Sequence, residues 1–368
     1  MVAVLIITGI AAFLITLIGT EAMRHVAPRL GLVAMPSPNR FHREPTPRGG
    51  GVAIFVGIWL TAWVGLLLAA SFQAKWSPGG APAAKPWPVS LEALVADTAA
   101  ALPRMRWAFG GAVAIAILGL IDDRRGLPAW FKLMVQTAVA SCIVFFDKQV
   151  ISLFIPNFYV CAVVTILWFV GIINAFNLLD NMDGLSAGVG VIVSGLLAIV
   201  AVQTNQMFLA ALALVIAGAL GGFLVFNFPP ARIFMGDCGS MLIGFMMAWM
   251  TVDCTFYTPG KPLFPVVVPL LILAVPIFDT ISVIVIRLKH DRSPFEGDTN
   301  HFSHRLVALG MGPRTAILTI YLVAAAIGLS ATLIYYVTTA AAAIVLMQAA
   351  AIFAVIVLVE RAGRLRQQ

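Results

Sequence analysis

Read for polarity alone, the chain is a series of long apolar runs separated by short polar stretches. The runs occupy about residues 2–20, 52–70, 107–121, 131–147, 159–173, 185–203, 207–228, 239–256, 264–286, 315–336 and 339–359. Each is close to the ~20 residues that a helix needs to cross a bilayer. The pattern predicts an all-α, polytopic integral membrane protein with about eleven transmembrane helices. They are expected to form a single domain over residues 1–368. No basic residue precedes the first run, whereas Arg24 and Arg29 follow it. That order fits a retained helix rather than a cleaved leader, and it places the N-terminus outside. An odd number of spans then brings the C-terminus to the cytoplasmic side.

Composition agrees with that reading. Hydrophobic residues make up 61% of the chain and charged residues 11%, against roughly 45–50% and 25% in soluble domains. Mean hydropathy is +0.99. The net charge of +7 would suit a nucleic-acid ligand, but the basic residues cluster beside the spans and on no soluble segment. We therefore expect a lipid bilayer and no nucleic acid as partner. Arg24, Arg29, Arg40, Arg43, Arg48, Arg124, Arg125, Lys132, Arg232, Arg287, Lys289, Arg292, Arg305, Arg314, Arg361, Arg364 and Arg366 all fall on the inner side of this arrangement. The outer side, including a Pro-, Gly- and Ala-rich loop over residues 71–106, holds fewer basic residues: Lys75, Lys85, Arg104, Arg106, Lys148 and Lys261. The four cysteines (Cys142, Cys161, Cys238 and Cys254) lack paired spacing and read as packing residues.

The inner loops, at about 21–51, 122–132, 174–184, 229–240 and 287–314, collect the chemistry. Asn174, Asn177, Asp180 and Asp183 recur every third residue, a spacing that places them along one face of a helix. Intramembrane acids of this kind mark sites by default; the alternative is a solvated helix end with a turn at Asn181-Met182-Asp183-Gly184. Asp122 and Asp123 follow the third span and Asp237 precedes the eighth. Five carboxylates from three loops at one depth suit a hard divalent cation that leaves positions for phosphate. Asp122-Asp123 also reads as an acidic turn paired with Arg124 and Arg125, and Phe234 as interfacial packing. Pro45-Thr-Pro-Arg48-Gly-Gly-Gly51 is a stiff segment followed by a permissive one, where glycines would admit a ligand to the backbone. His301 and His304 could share a helix face. With Arg305 beside them and no third ligand, phosphate suits them better than zinc. Asp279, inside an apolar run near Pro276, reads equally as a buried structural partner or a functional acid.

In their order along the chain, these residues resemble a known family. Asp122-Asp123, then Asn174-x-x-Asn177-Leu-x-Asp180-x-x-Asp183-Gly184, then Phe234-Met-Gly-Asp237-x-Gly-Ser240, then a His-containing loop are similar to the polyprenyl-phosphate N-acetylhexosamine-1-phosphate transferases. The resemblance spans about residues 40–310. The Pro-Arg-Gly-Gly-Gly turn and the span count are closer to its WecA/TagO-like branch than to the ten-span MraY branch. His301-Phe-Ser-His304 departs from the family's His-x-His-His, which leaves the donor sugar open.

The resemblance implies transfer of a sugar 1-phosphate from a UDP-N-acetylhexosamine to polyprenyl phosphate, releasing UMP, at the cytoplasmic face of a bacterial inner membrane. Transfer of phospho-MurNAc-pentapeptide, as in the MraY branch, is the alternative within the family; a transporter is the alternative outside it. The cofactor implied is Mg²⁺ (or Mn²⁺), held by Asp237. Asp122, Asp123, Asp180, Lys132, His301 and His304 are the implied catalytic residues. Arg48, Asn177, Asp183, Phe234 and Arg305 are the implied substrate-binding residues, with uracil between Phe234 and Asp183. A homodimer is the assembly left open.

Overall fold

The computed structural model of the chain describes residues 2–35, 45–75, 91–151, 156–256, 264–294 and 300–365. Arg40, Arg43, Asp298 and most of the expected outer loop before residue 91 lie outside the described residues. The protein is all-α and multi-pass. Among the described residues, nine helices are long and apolar enough to cross a membrane. In order, the helices that match the expected spans are α1 (Val2–Val26), α2 (Gly50–Lys75), α3 (Leu91–Arg125), α4 (Ala129–Cys142), α5 (Phe158–Leu179), α6 (Leu185–Gln203) and α7 (Met207–Asn227). They continue as α8 (Gly236–Asp253), α9 (Val268–Ile272), α10 (Ala274–Lys289) and, after the short α11 (Phe302–Ala308) in the expected 287–314 loop, α12 (Pro313–Thr332) and α13 (Thr339–Leu365).

The two expected runs outside the nine are informative. Residues 239–256 correspond to α8, whose first turn is polar but whose residues from Cys238 to Thr251 are all buried. A helix apolar all round sits inside its protein, and α8 is the central post, with α2, α3, α5 and α6 packed around it. Residues 264–286 correspond to α9 and α10, broken at Leu273. Pro276, in the first turn of α10, has no N–H to donate back to Ile272, so a continuous helix would lose a bond there.

One expectation is corrected. Residues 91–106 belong to α3, which runs for 35 residues and carries Pro103 in its interior. Leu94, Thr98 and Ala101 are buried at helical spacing, and Asp97 Oδ2 accepts the N–H of Phe208 at 2.8 Å. The stretch is too polar to read as a span, yet its Ala-rich sequence has strong helix propensity.

Near the site, the packing rests on small residues. A Cβ on Gly51 would fall 2.6 Å from Gly239 Cα, and one on Gly239 would fall 2.8 Å from Gly51 Cα. A Cβ on Gly119 would meet the backbone of Asp237 and Cys238. These contacts let α2, α3 and α8 approach backbone to backbone, as small residues do in membrane bundles. The expectation that the glycines of the 49–51 turn admit a ligand to the backbone is therefore corrected at Gly51, which faces Gly239.

Candidate active site

The site is built on the N-terminus of α8. Gly236 takes φ +74°, which a side chain disfavours, and turns the chain into the helix. The orphan N–H groups there are met from another helix. Asp123, at the end of α3, accepts the N–H of Asp237 on Oδ1 at 2.9 Å and that of Cys238 on Oδ2 at 3.1 Å. Its side chain is 1% exposed and also lies 3.4 Å from the Arg48 guanidinium. Both of its oxygens thus serve as a helix cap supplied in trans.

Asp122, the neighbouring residue, faces elsewhere. Its Oδ1 accepts the N–H of Leu127 at 2.5 Å, and its Oδ2 accepts from Lys132 Nζ at 2.6 Å. The same ammonium reaches Asp237 Oδ2 at 3.3 Å. Lys132, on α4, therefore bridges two carboxylates brought in by α3 and α8. Of the three acids Asp237 is the most open, with a side chain 31% exposed against 7% for Asp122.

The Pro45–Gly51 segment is stitched to the strand-like approach to α8. The N–H of Phe234 donates to Pro47 O at 2.9 Å, those of Gly49 and Gly50 donate to Phe234 O, and that of Gly51 to Met235 O at 2.9 Å. At the start of this segment β2 (Thr46–Pro47) pairs antiparallel with β1 (Val33–Ala34). Arg48 and Phe234 are thereby held side by side, although they lie far apart in sequence.

The Asn/Asp motif departs from the expected single helical stripe. Helix α5 ends at Leu179 with Asp180 as its C-cap residue, so only Asn174 and Asn177 are helical. Gly184 takes φ +74°, and the turn before it reverses the chain into α6. Asn177 Nδ2 donates to Ser240 Oγ at 3.0 Å, one turn into α8 from Asp237. Asp183 Oδ2 accepts the N–H of Ala231 at 2.9 Å, and Asn227 clamps the same region by accepting from Gly184 and donating to Ile233. Asn174 points back into the bundle, donating to Gln136 Oε1 at 2.6 Å. Gln136 is fully buried on α4. It was not singled out from sequence, though an amide alone in an apolar span is a usable signal.

The His loop comes to the same end of the bundle. Asp279 on α10 accepts the N–H of Phe302 at 2.6 Å and faces His301 Nδ1 at 2.9 Å. It therefore caps α11 and fixes the His301 ring, as a buried carboxylate does for an imidazole. The structural reading of Asp279 thus gains a role beside His301. Ser303 Oγ donates to Asn181 Oδ1 at 2.5 Å and ties α11 to the Asn/Asp motif. The His301 and His304 rings lie 6.2 Å apart. Arg305 is committed elsewhere: its Nε contacts both Glu360 oxygens at 3.0 Å, and its other nitrogens reach Asn300 O and Ser282 Oγ. Glu360, on the last helix, carries no motif that would have revealed this pairing in the sequence.

The expected five-acid cluster around one ion is not what these contacts show. Asp123 and Asp183 face backbone N–H groups, Asp122 and Asp237 share an ammonium, and Asp180 ends α5. Among the described residues no group of three or more His, Cys, Asp or Glu side chains could together hold a metal.

Comparison with known proteins bears on what this arrangement does. A family model described as glycosyl transferase family 4 matches residues 105–255. A probable undecaprenyl-phosphate N-acetylglucosaminyl 1-phosphate transferase of Bacillus subtilis is 32% identical, over 89% of this chain and 84% of its own length. The chain belongs to glycosyl transferase family 4. Another family member, decaprenyl-phosphate N-acetylglucosaminephosphotransferase of Mycobacterium tuberculosis, is 35% identical over 89% of this chain and 81% of its own. An undecaprenyl-phosphate alpha-N-acetylglucosaminyl 1-phosphate transferase of Escherichia coli is 26% identical over 86% and 80%. The stretch matched by the family model contains Asp122, Asp123, Lys132, Asn177, Asp180, Asp183, Phe234 and Asp237.

Proposed function

We propose that this chain transfers N-acetylhexosamine 1-phosphate from a UDP-sugar to a polyprenyl phosphate. UMP and a lipid diphosphosugar are the products. The observation that carries the reading is the convergence of Asp122, Lys132 and Asp237 from three helices, beside Asn177 and in the same end of the bundle as His301. An oxygen of the lipid phosphate forms a bond to the sugar-bearing phosphorus, and the bond to the bridging oxygen breaks, leaving that oxygen on UMP. Such a transfer leaves the protein mainly to position groups and neutralise charge.

The donor set suits Mg²⁺ (or Mn²⁺). It offers two adjacent carboxylates with one more accessible than the other, and it already demands a cation, since Lys132 stands between them. Mg²⁺ is commonly held by one or two carboxylates with phosphate oxygens and water completing its shell. Asp237, with Asp122 beside it, would hold the ion. Bound, it would offset the repulsion between the donor diphosphate and the incoming phosphate.

The remaining roles follow from placement. Asp123 holds the start of α8 and so fixes Asp237. Lys132 and Arg48 present positive charge to phosphate. Asn177 and Asp180 line the diphosphate position. Phe234 stacks on uracil and Asp183 meets its polar edge. His301, oriented by Asp279, and His304 face the donor's phosphate. Arg305 supports that loop through Asn300. The site end of the bundle is cytoplasmic, because nucleotide sugars are made there and the basic loops lie on that side.

The test is purified protein with polyprenyl phosphate and a panel of UDP-sugars. UMP release and the mass of the lipid product are read together. UDP-N-acetylglucosamine is the donor expected to react. A protein that is folded and lipid-replete yet releases no UMP from any donor would refute the reading.

A further inference from the structure

At the site end of the bundle, α10 and α13 enclose a crevice of about 260 Å³ that the proposed reaction does not use. Its floor is apolar, formed by Phe278, Val285, Ile286 and Val357. Its rim carries Lys289, His290 and Arg361, all exposed at the last turns of their helices. The carboxylate lining it, Glu360, is already matched by Arg305 through two contacts of 3.0 Å. The rim therefore presents two basic side chains, Lys289 and Arg361, with no ion pair among the described residues, above a greasy floor. They sit at helix C-termini, where the macrodipole favours positive charge. Beside the crevice, Ile281 and Leu288 of α10 and Leu358 of α13 face outward and are more than half exposed, as lipid-facing side chains are.

We infer that this crevice is a binding site for the phosphate head of an anionic lipid, with the first part of its chain on the Phe278–Val357 floor. Two cations spaced at a helix-end rim suit a phosphate oxyanion, and basic clusters between helices at the membrane surface recruit acidic lipids. A free phosphate or a nucleotide would leave the apolar floor uncovered, whereas a lipid fills both parts. The volume admits a phosphate and a few methylenes but leaves the rest of the chain in the bilayer. The chemistry is shared by bilayer phospholipids and by a polyprenyl phosphate. The Arg305 guanidinium lines this crevice and also donates to Asn300 O at 2.5 Å. A lipid held here would therefore touch the group that holds the His loop.

Native mass spectrometry of the full chain in mild detergent tests this without reference to activity. The probe is added phosphatidylglycerol, with phosphatidylcholine as the neutral comparison. Wild type should retain phosphatidylglycerol preferentially. A Lys289→Gln, Arg361→Gln double variant should lose that preference by about five-fold per charge removed. An Arg24→Gln, Arg29→Gln variant, which removes the same charge elsewhere, should keep it. Val357→Trp, which fills the floor and leaves every charge, should also displace the lipid. Equal retention by wild type and the rim variant, equal loss in the Arg24, Arg29 control, or full retention in Val357→Trp would each overturn the site. Competition by a short-chain polyprenyl phosphate then distinguishes the source. Displacement of phosphatidylglycerol identifies an acceptor-lipid site, and failure to displace identifies a bilayer-phospholipid site.

Discussion

Asp123 and Asp237 lie 114 residues apart in sequence, and the carboxylate of one holds the backbone of the other. The acid at the end of α3 fixes where α8 begins, and hence where the accessible carboxylate of Asp237 stands. Two neighbouring aspartates, Asp122 and Asp123, are thereby given different tasks by the direction each side chain takes.

The first prediction follows from that division. Asp123→Ala leaves the N–H groups of Asp237 and Cys238 without partners, a cap loss worth about 0.5–2 kcal/mol. Thermal unfolding in detergent should report that loss. UMP release per folded molecule should also fall, because the start of α8 is no longer fixed. Asp123→Asn keeps one acceptor and should fall between wild type and Ala in both measurements. Unchanged stability in Asp123→Ala would remove the capping role.

Lys132 gives a second, two-part expectation. Lys132→Met removes the ammonium shared by Asp122 and Asp237 and leaves two carboxylates facing each other. Turnover should drop on the order of 10²-fold, as when one preorganised charge-stabilising donor is deleted. If Asp122 and Asp237 hold Mg²⁺ as proposed, the Mg²⁺ concentration for half-maximal rate should fall, because a bound ion would no longer compete with Nζ for the same oxygens. A titration in which that concentration rises would contradict the shared-cation account.

Phe234 is fixed through its backbone to Pro47, Gly49 and Gly50, so truncating its ring should leave the turn in place. Phe234→Ala should weaken UDP-sugar binding by about 1–3 kcal/mol, by analogy with base–aromatic stacking. The apparent affinity for polyprenyl phosphate should change far less. Equal weakening for both substrates, measured by separate KM values, would contradict a uracil role.

How much of this was legible in the sequence depends on the range of the interaction. Apolar runs found a helix for every expected span, because burial in lipid requires long uncharged segments whatever their neighbours. They missed the first part of α3, where helix propensity and the contact of Asp97 with Phe208 act without high hydropathy. Periodicity placed Asp180 and Asp183 on a helix that stops at Leu179, since the turn ending in Gly184 overrides the spacing. The motifs marked Asp122, Asp123 and Asp237 as acids at one depth. Which of them caps a helix and which shares an ammonium depends on side-chain directions set by packing between α3, α4 and α8. Glu360 is the extreme case: an acid near the end of the last helix whose partner, Arg305, is 55 residues earlier.

Topology offers a check that involves no catalysis. Reporter fusions after residues 90 and 300 should give opposite signals if the charge asymmetry sets orientation, with residue 300 cytoplasmic. The same signal from both fusions would sink the alternating arrangement from α3 to α10.

The last prediction concerns Asp237 itself. Its backbone has little freedom: Gly236 is left-handed, Asp123 holds its N–H, and Gly119 allows α3 to lie against it. The side chain alone can adjust to a change in length. Glu at this position would carry its oxygens one methylene further from a fixed point. Mg²⁺ tolerates little departure from near-octahedral shells at about 2.0–2.1 Å, so a shift of roughly 1 Å should not be absorbed. Asp237→Glu should therefore lose nearly as much Mg²⁺-dependent UMP release as Asp237→Asn, although Asn alone removes the charge. Folding should be little affected in either, since the carboxylate is the most open of the three acids and its partner Lys132 retains Asp122. Near-normal rate with unchanged Mg²⁺ dependence in Asp237→Asn would exclude Asp237 as the metal ligand. Full activity in Asp237→Glu would show instead that charge, and not placement, is what the site requires.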